Sequence, residues 1–241
     1  HPVAHSFPTR RSSDLSGNIF GIAGLEFFFG LITQFRTAVN TGFFDRPLTV
    51  GLLAALLSGQ WTSCLGAAVF FEFLWLDRFP AGTYIPPQRI LSTLLVCSTA
   101  FVLHLSHPYL LLPAMLCALP AAHLGTLVEK RLRQEESENH TQLLNWADQV
   151  QPQGFPGQMI WVSLGRKVLW ESGLFFVLAL FVTIFTAAAG VFTPLERLTF
   201  QFGWPHVWAA ALVGSILSVR IRRAYYLLII GLGLGTVLLF F

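Results

Sequence analysis

The chain reads as an all-α polytopic membrane protein, with about six to eight transmembrane segments and a re-entrant helical hairpin among them. Three observations predict this. Hydrophobic residues make up 54% of the 241 and charged residues only 11%, with a mean hydropathy of +0.62. A soluble domain carries about 25% charged residues to cover a water-facing surface. The apolar residues gather in runs that approach the roughly 20 residues a spanning helix needs. One run, Pro47 to Leu76, is 30 residues long and is broken near Ser58-Gly59-Gln60. Composition therefore excludes a secreted disulfide scaffold, a nucleic-acid-binding module and a cytosolic enzyme. The net charge of +3 does not point to nucleic acid, because the basic residues sit between apolar segments, where they act as topology signals.

Taken in order, residues 1–15 are expected to be a non-native leader. The string HSFPTRRSSDL from His5 to Leu15 is polar and ends abruptly against an apolar segment. It lacks the apolar region and small-residue cleavage site of a signal peptide, and it resembles a frame translation of a sequencing adapter. Residues 16–241 then form a single membrane domain. Ile19 to Gln34 is the first apolar segment. Pro47 to Leu76 is too short for two spans and too long, with a polar break, for one. Two half-helices forming a re-entrant hairpin fit it, a form that survives at membrane depth only where protein or a water-lined cavity surrounds it. In transporters such broken segments build substrate sites.

Asp77 to Arg89 reads as a loop rich in Pro and Gly. Ile90 to His104 and Pro108 to Leu127 are two further apolar segments, and residues 128–167 form the one long polar stretch, helical at first and irregular over Gln151 to Gly157. Val168 to Gly190 is a span with Glu171 near one end, Phe192 to Pro205 a short loop, and His206 to Val219 and Ala224 to Phe241 the last two segments. Basic residues at segment ends put the 128–167 loop and the 220–223 turn on the cytoplasmic side and 192–205 outside. Arg36, Arg46, Arg78 and Arg89 fall inside as well if 47–76 dips in and returns.

Chemical motifs are sparse. There is no Walker loop, no HExxH, no GxSxG and no CxxC, so no enzyme activity, metal or cofactor is expected of the chain itself. Cys64, Cys97 and Cys117 lie in apolar runs and read as small buried hydrophobes. His104, His107, His123 and His206 read as hydrogen-bonding residues near segment ends, and Trp161, Trp170, Trp204 and Trp208 as an interfacial belt. Acidic residues inside apolar segments carry more weight, since a charge at membrane depth costs about 2.5–3.5 kcal/mol on insertion scales and such residues usually mark function. Glu26 sits near a segment end. Glu72, in VFFEFLWLDR, sits within the second half of the hairpin. It reads either as a structural hydrogen bond fixing the hairpin or as a ligand for a polar solute. Trp75, three residues on, shares its helical face. A carboxylate accepting bonds from vicinal hydroxyls, with an aromatic ring over an apolar face, is a typical way to hold a sugar.

The stretch from Asp45 to Gln88 resembles the membrane subunit IIC of the mannose/sorbose-type (mannose-fructose-sorbose) sugar phosphotransferase system. Arg46-Pro47, Gly59, Glu72, Trp75-Leu76, Gly82 and Ile85-Pro86-Pro87 fall at matching spacing. The remainder, from about residue 19 to 241, fits the layout less specifically. Phe35, Gln60 and Gln88 stand where the family usually has Asp, Asp45 where it has Ser and Asp77 where it has Gly. The resemblance implies a multi-pass permease subunit of a bacterial cytoplasmic (inner) membrane, without covalent chemistry of its own. It would pair with a IID membrane subunit in a hetero-oligomer. Together they would bind a hexose-type sugar and carry it inward for phosphorylation by soluble IIA/IIB phosphoryl carriers fed by phosphoenolpyruvate. Glu72, Gln88, Gln60 and Trp75 would then bind sugar. Arg46 and Asp45 would tie the hairpin base, and Pro86, Pro87 and Gly82 would fix the adjoining loop. The lost acids leave an alternative, a degenerate IIC-like subunit that only stabilises a IID partner.

Overall fold

The computed structural model describes residues 46–78, 85–147, 157–192, 202–219 and 223–231. Among them every regular element is a helix: α1 Pro47–Ser58, α2 Trp61–Leu74, α3 Arg89–Leu103, α4 Pro108–Ala147, α5 Gly157–Phe192, α6 Trp204–Ser218 and α7 over 223–231. The leader 1–15, the first apolar segment, Phe35, Arg36, Asp45 and Gly82 lie outside the described residues.

The break in the 47–76 run is where the sequence puts it. Pro47 occupies the first helical position of α1, where its missing N–H costs nothing, with Arg46 extended before it. Gly59 ends the helix in the left-handed region at φ 72°, its N–H donating to the Ala55 carbonyl at 2.8 Å. Glycine adopts that conformation without the Cβ penalty. The Ser58 hydroxyl donates to the Ala54 carbonyl at 2.7 Å and accepts from the Gln60 N–H at 3.3 Å, so the turn satisfies its own polar groups. At 12 and 14 residues, α1 and α2 are about 18 and 21 Å long, each too short for a hydrocarbon layer of about 30 Å.

The two short helices fold back antiparallel. Gly51 of α1 lies against Ala68 and the Cys64 carbonyl of α2, so closely that an added Cβ would collide with both. Small residues let helix backbones approach in this way. Gly59 and Gln60 form the tip of the hairpin, and Arg46 and Glu72 meet at its base.

α3 is the hub, touching α1, α2, α4 and α5. Nearly all of it is buried, including Ser92, Thr93, Ser98 and Thr99. Their hydroxyls donate to carbonyls three or four residues back, and Thr99 also meets Thr183 of α5 at 3.3 Å. Leu91, Leu94, Leu95 and Cys97 join Val50, Ala54 and Cys64 in one cluster with Phe175 and Ala179. α6 docks on α2: Trp204 covers Gly66, and the Trp208 indole N–H donates to the Gly66 carbonyl at 3.0 Å. This corrects the reading of Trp204 and Trp208 as belt residues, since Trp204 is buried in the core with Phe71 and Val207. Trp161 and Trp170 are exposed.

Pro108–Thr141 within α4 and Trp161–Gly190 within α5 are long and apolar enough to cross a membrane. α4, with 40 residues, and α5, with 36, reach about 60 and 54 Å. Both overshoot a bilayer core by more than 20 Å. The helical first part expected of the polar stretch 128–167 is the continuation of α4 to Ala147, and its end is the start of α5 at Gly157. Pro113 and Pro120 lie inside α4. Ser92, Thr93, Ser98 and Thr99 are buried within a largely apolar core, and Leu116, Leu124, Leu169, Val177, Phe181 and Ile184 face outward.

Candidate functional site

Glu72 sits in the last turn of α2, at the hairpin base. The preceding residue, Phe71, is fully buried and stacks on Trp75 with ring centroids 5.2 Å apart. The Glu72 side chain is 10% exposed. Its Oε1 accepts from Arg46 Nη1 at 2.7 Å, a charge-assisted bond across the mouth of the hairpin. Its Oε2 is buried with no hydrogen-bond partner. An acceptor left unsatisfied in a low-dielectric setting costs about 1–3 kcal/mol, so this oxygen is primed to take a donor. Arg46 is half-exposed and stays solvated while it neutralises the acid.

Other residues singled out from the sequence fall in different places. Trp75 lies one turn beyond Glu72 but is itself buried, with Phe71 over one face. Gln60 is at the hairpin tip, twelve residues from Glu72 along α2, about 18 Å in axial rise. The structure does not bring these two together. Gln88 is buried just ahead of α3, its N–H donating to the Ala122 carbonyl of α4 at 3.2 Å and its side-chain oxygen resting over Gly125. Pro86 offers its carbonyl to the Thr126 hydroxyl at 3.3 Å, and Pro87 is buried. The Ile-Pro-Pro-Gln segment is thus a strap fixed to α4.

Several functional-looking contacts were not foreseen. Asp77 Oδ2 accepts from the Ser218 hydroxyl at 2.5 Å, joining the end of α2 to the end of α6. The Ser63 hydroxyl donates to the Leu105 carbonyl at 2.7 Å, tying α2 to the chain just after α3. Glu171, placed near a span end by sequence, is 3% exposed. Its signal was there: Lys167, Glu171, Phe175, Ala179, Val182 and Thr186 recur at helical spacing and are all buried.

Chemically, the hairpin base offers one buried carboxylate with an unpartnered oxygen, beside a half-exposed guanidinium. That oxygen can accept one more hydrogen bond, from a donor such as a hydroxyl. The site holds no nucleophile–base pair. The described fold defines an all-helical protein with two helices able to cross a membrane. Beyond that class, comparison of the chain with family models, curated proteins and solved structures finds no match.

Proposed function

We propose that the chain is the sugar-translocating subunit of a IIC-type permease, embedded by about six to eight membrane segments in a bacterial cytoplasmic membrane. It would work with a IID partner and with soluble carriers that phosphorylate the sugar as it arrives inside. The observation that carries this reading is the buried Glu72 carboxylate, held by Arg46 at the base of a broken-helix hairpin with one oxygen unpartnered. Large apolar side chains exposed along the two long apolar helices support the membrane part. A sugar hydroxyl donating to Glu72 Oε2 would satisfy the orphaned acceptor. Gln88, fixed by the Pro86-Pro87 strap, would contribute a neutral amide from the neighbouring helix junction.

The test is uptake of a panel of labelled hexoses and hexosamines by cells that lack a mannose-type permease. The cells would express this chain with the adjacent IID subunit and the matching soluble carriers. Uptake of one sugar, abolished by Glu72→Gln in a complex that still assembles, is the expected result. Unchanged uptake in that variant removes Glu72 from the site.

A second reading is favoured by two observations. Gln60 and Glu72 sit at opposite ends of the hairpin, and the Arg46–Glu72 bond closes its base as a purely structural tie would. A degenerate subunit that stabilises a IID partner would give no uptake of any sugar from an intact complex.

A further inference from the structure

The outward face of α4 carries a sequence of chemistries that the hairpin site does not use. Leu116 and Leu124 are exposed on it, and Leu127 is 63% exposed. Twenty residues from Pro108 to Leu127 span about 30 Å, the thickness of a hydrocarbon core, so Leu127 marks where α4 leaves the lipid. His123, also exposed, lies one turn inside that level. One turn beyond it come Lys130 and Arg131, and further out Gln134, Glu135 and Glu138. These residues and Leu127 line an open cleft of about 380 Å³. Glu135 leans on Arg166 of α5 at 3.7 Å. No ion pair neutralises Lys130, Arg131 or Glu138 among the described residues.

The axial order is therefore apolar, then cationic, then anionic. Lys130 and Arg131 stand about 5–6 Å above Leu127, and Glu138 about 10 Å above Arg131. Side chains on a helix tilt toward its N-terminus, so the Glu138 carboxylate reaches back toward the two cations. An anionic lipid would suit the cations but meet repulsion from Glu138 and Glu135. A choline headgroup has no N–H to give a carboxylate. An aminophospholipid matches all three levels: acyl chain along Leu124 and Leu127, phosphate on Lys130 and Arg131, primary ammonium on Glu138.

The geometry points to a binding site for a zwitterionic ethanolamine phospholipid on the outward face of α4, centred on Lys130, Arg131 and Glu138. It rests on the membrane reading given above. The lipid would clamp α4 at a fixed depth, and with it the Gln88 strap bound to Ala122.

The test uses the full chain purified in detergent and mixed with equal amounts of phosphatidylethanolamine, phosphatidylcholine and phosphatidylglycerol of one acyl composition. Retained lipid is read by native mass spectrometry. The ethanolamine lipid should be retained at least about tenfold over the other two. Lys130→Gln with Arg131→Gln should abolish that retention, and Glu138→Gln should bring phosphatidylglycerol level with the ethanolamine lipid. Because all three side chains are exposed, thermal unfolding of the variants should match that of the parent chain. Equal retention of the three lipids, or retention unchanged in the double variant, overturns the site. Displacement by glycerophosphoethanolamine at the lipid's own concentration overturns it in favour of a soluble zwitterion. A chain that fails to float with vesicles of the same lipids refutes the membrane reading instead.

Discussion

The hairpin base and the outer ladder of ion pairs along α4 and α5 use the same chemistry to different ends. Outside the apolar region, Glu129 pairs with Arg133 at 2.7 Å, Glu136 with Lys167 at 2.7 Å and Glu135 with Arg166 at 3.7 Å, and Asn139 donates to Ser163 at 3.2 Å. In every ion pair one partner is at least 45% exposed, as Arg46 is at the base, and the Glu129 carboxylate is as buried as that of Glu72, at 8% against 10%. What sets the base apart is that its carboxylate keeps one buried oxygen without a hydrogen-bond partner. An ion pair in water is worth about 0–1 kcal/mol. A buried acid that loses its partner costs about 3–5 kcal/mol. The pairs Glu135–Arg166 and Glu136–Lys167 join two long helices; the base leaves one carboxylate oxygen for a further donor.

Removing the arginine separates the two regions most sharply. Arg46→Ala should destabilise the chain by about 3 kcal/mol, since it strands a buried charge, measured by thermal unfolding in detergent. The double variant with Glu72→Gln should recover most of that loss, because the neutral amide needs no counter-ion. A double-mutant cycle with no coupling would place Glu72 in a wetter setting than described.

Gly66→Ala comes next. Its Cβ would fall on the rigid Trp204 indole, and overpacking of this kind costs about 1–3 kcal/mol. Loss of the α6 contact would be read as a shift in Trp fluorescence. At the tip, Gly59→Ala meets no neighbour within 4 Å, so only the left-handed backbone matters, at about 1–2 kcal/mol. The smallest effects belong to the ladder. Arg166→Ala, which loses only the 3.7 Å contact to the part-exposed Glu135, should cost about 0.2–1 kcal/mol. Molar salt, which screens exposed pairs over about 3 Å, should erase that difference while leaving the Arg46→Ala effect in place.

Much of this contrast was legible in the sequence. Pro47, Gly59 and Trp61 bracket two half-helices because proline starts and glycine ends them by backbone preference alone. Glu72 stood out because an acid within an apolar run needs a reason, either a structural hydrogen bond or a ligand for a polar solute. What sequence could not give was distance across the fold. Gln60 and Glu72 look like members of one site on a string, yet an antiparallel hairpin sends them to opposite ends. Trp204 and Trp208 sit near a segment end, where interfacial tryptophans belong, but the missing side chain of Gly66 makes the hollow that Trp204 fills. The polar stretch after Leu127 reads as helical at first, and the helix does run on to Ala147. Its pairing with α5 through Glu135, Glu136 and Asn139 is between residues too far apart in the chain to be read from it.

The most direct test of the account is sugar binding by the purified complex with its IID partner, measured by calorimetry on the parent chain and on Glu72→Gln. The account predicts that the variant unfolds within about 1.5 kcal/mol of the parent and binds no sugar. Binding unchanged in Glu72→Gln would contradict it and leave the Arg46–Glu72 pair as a structural tie alone.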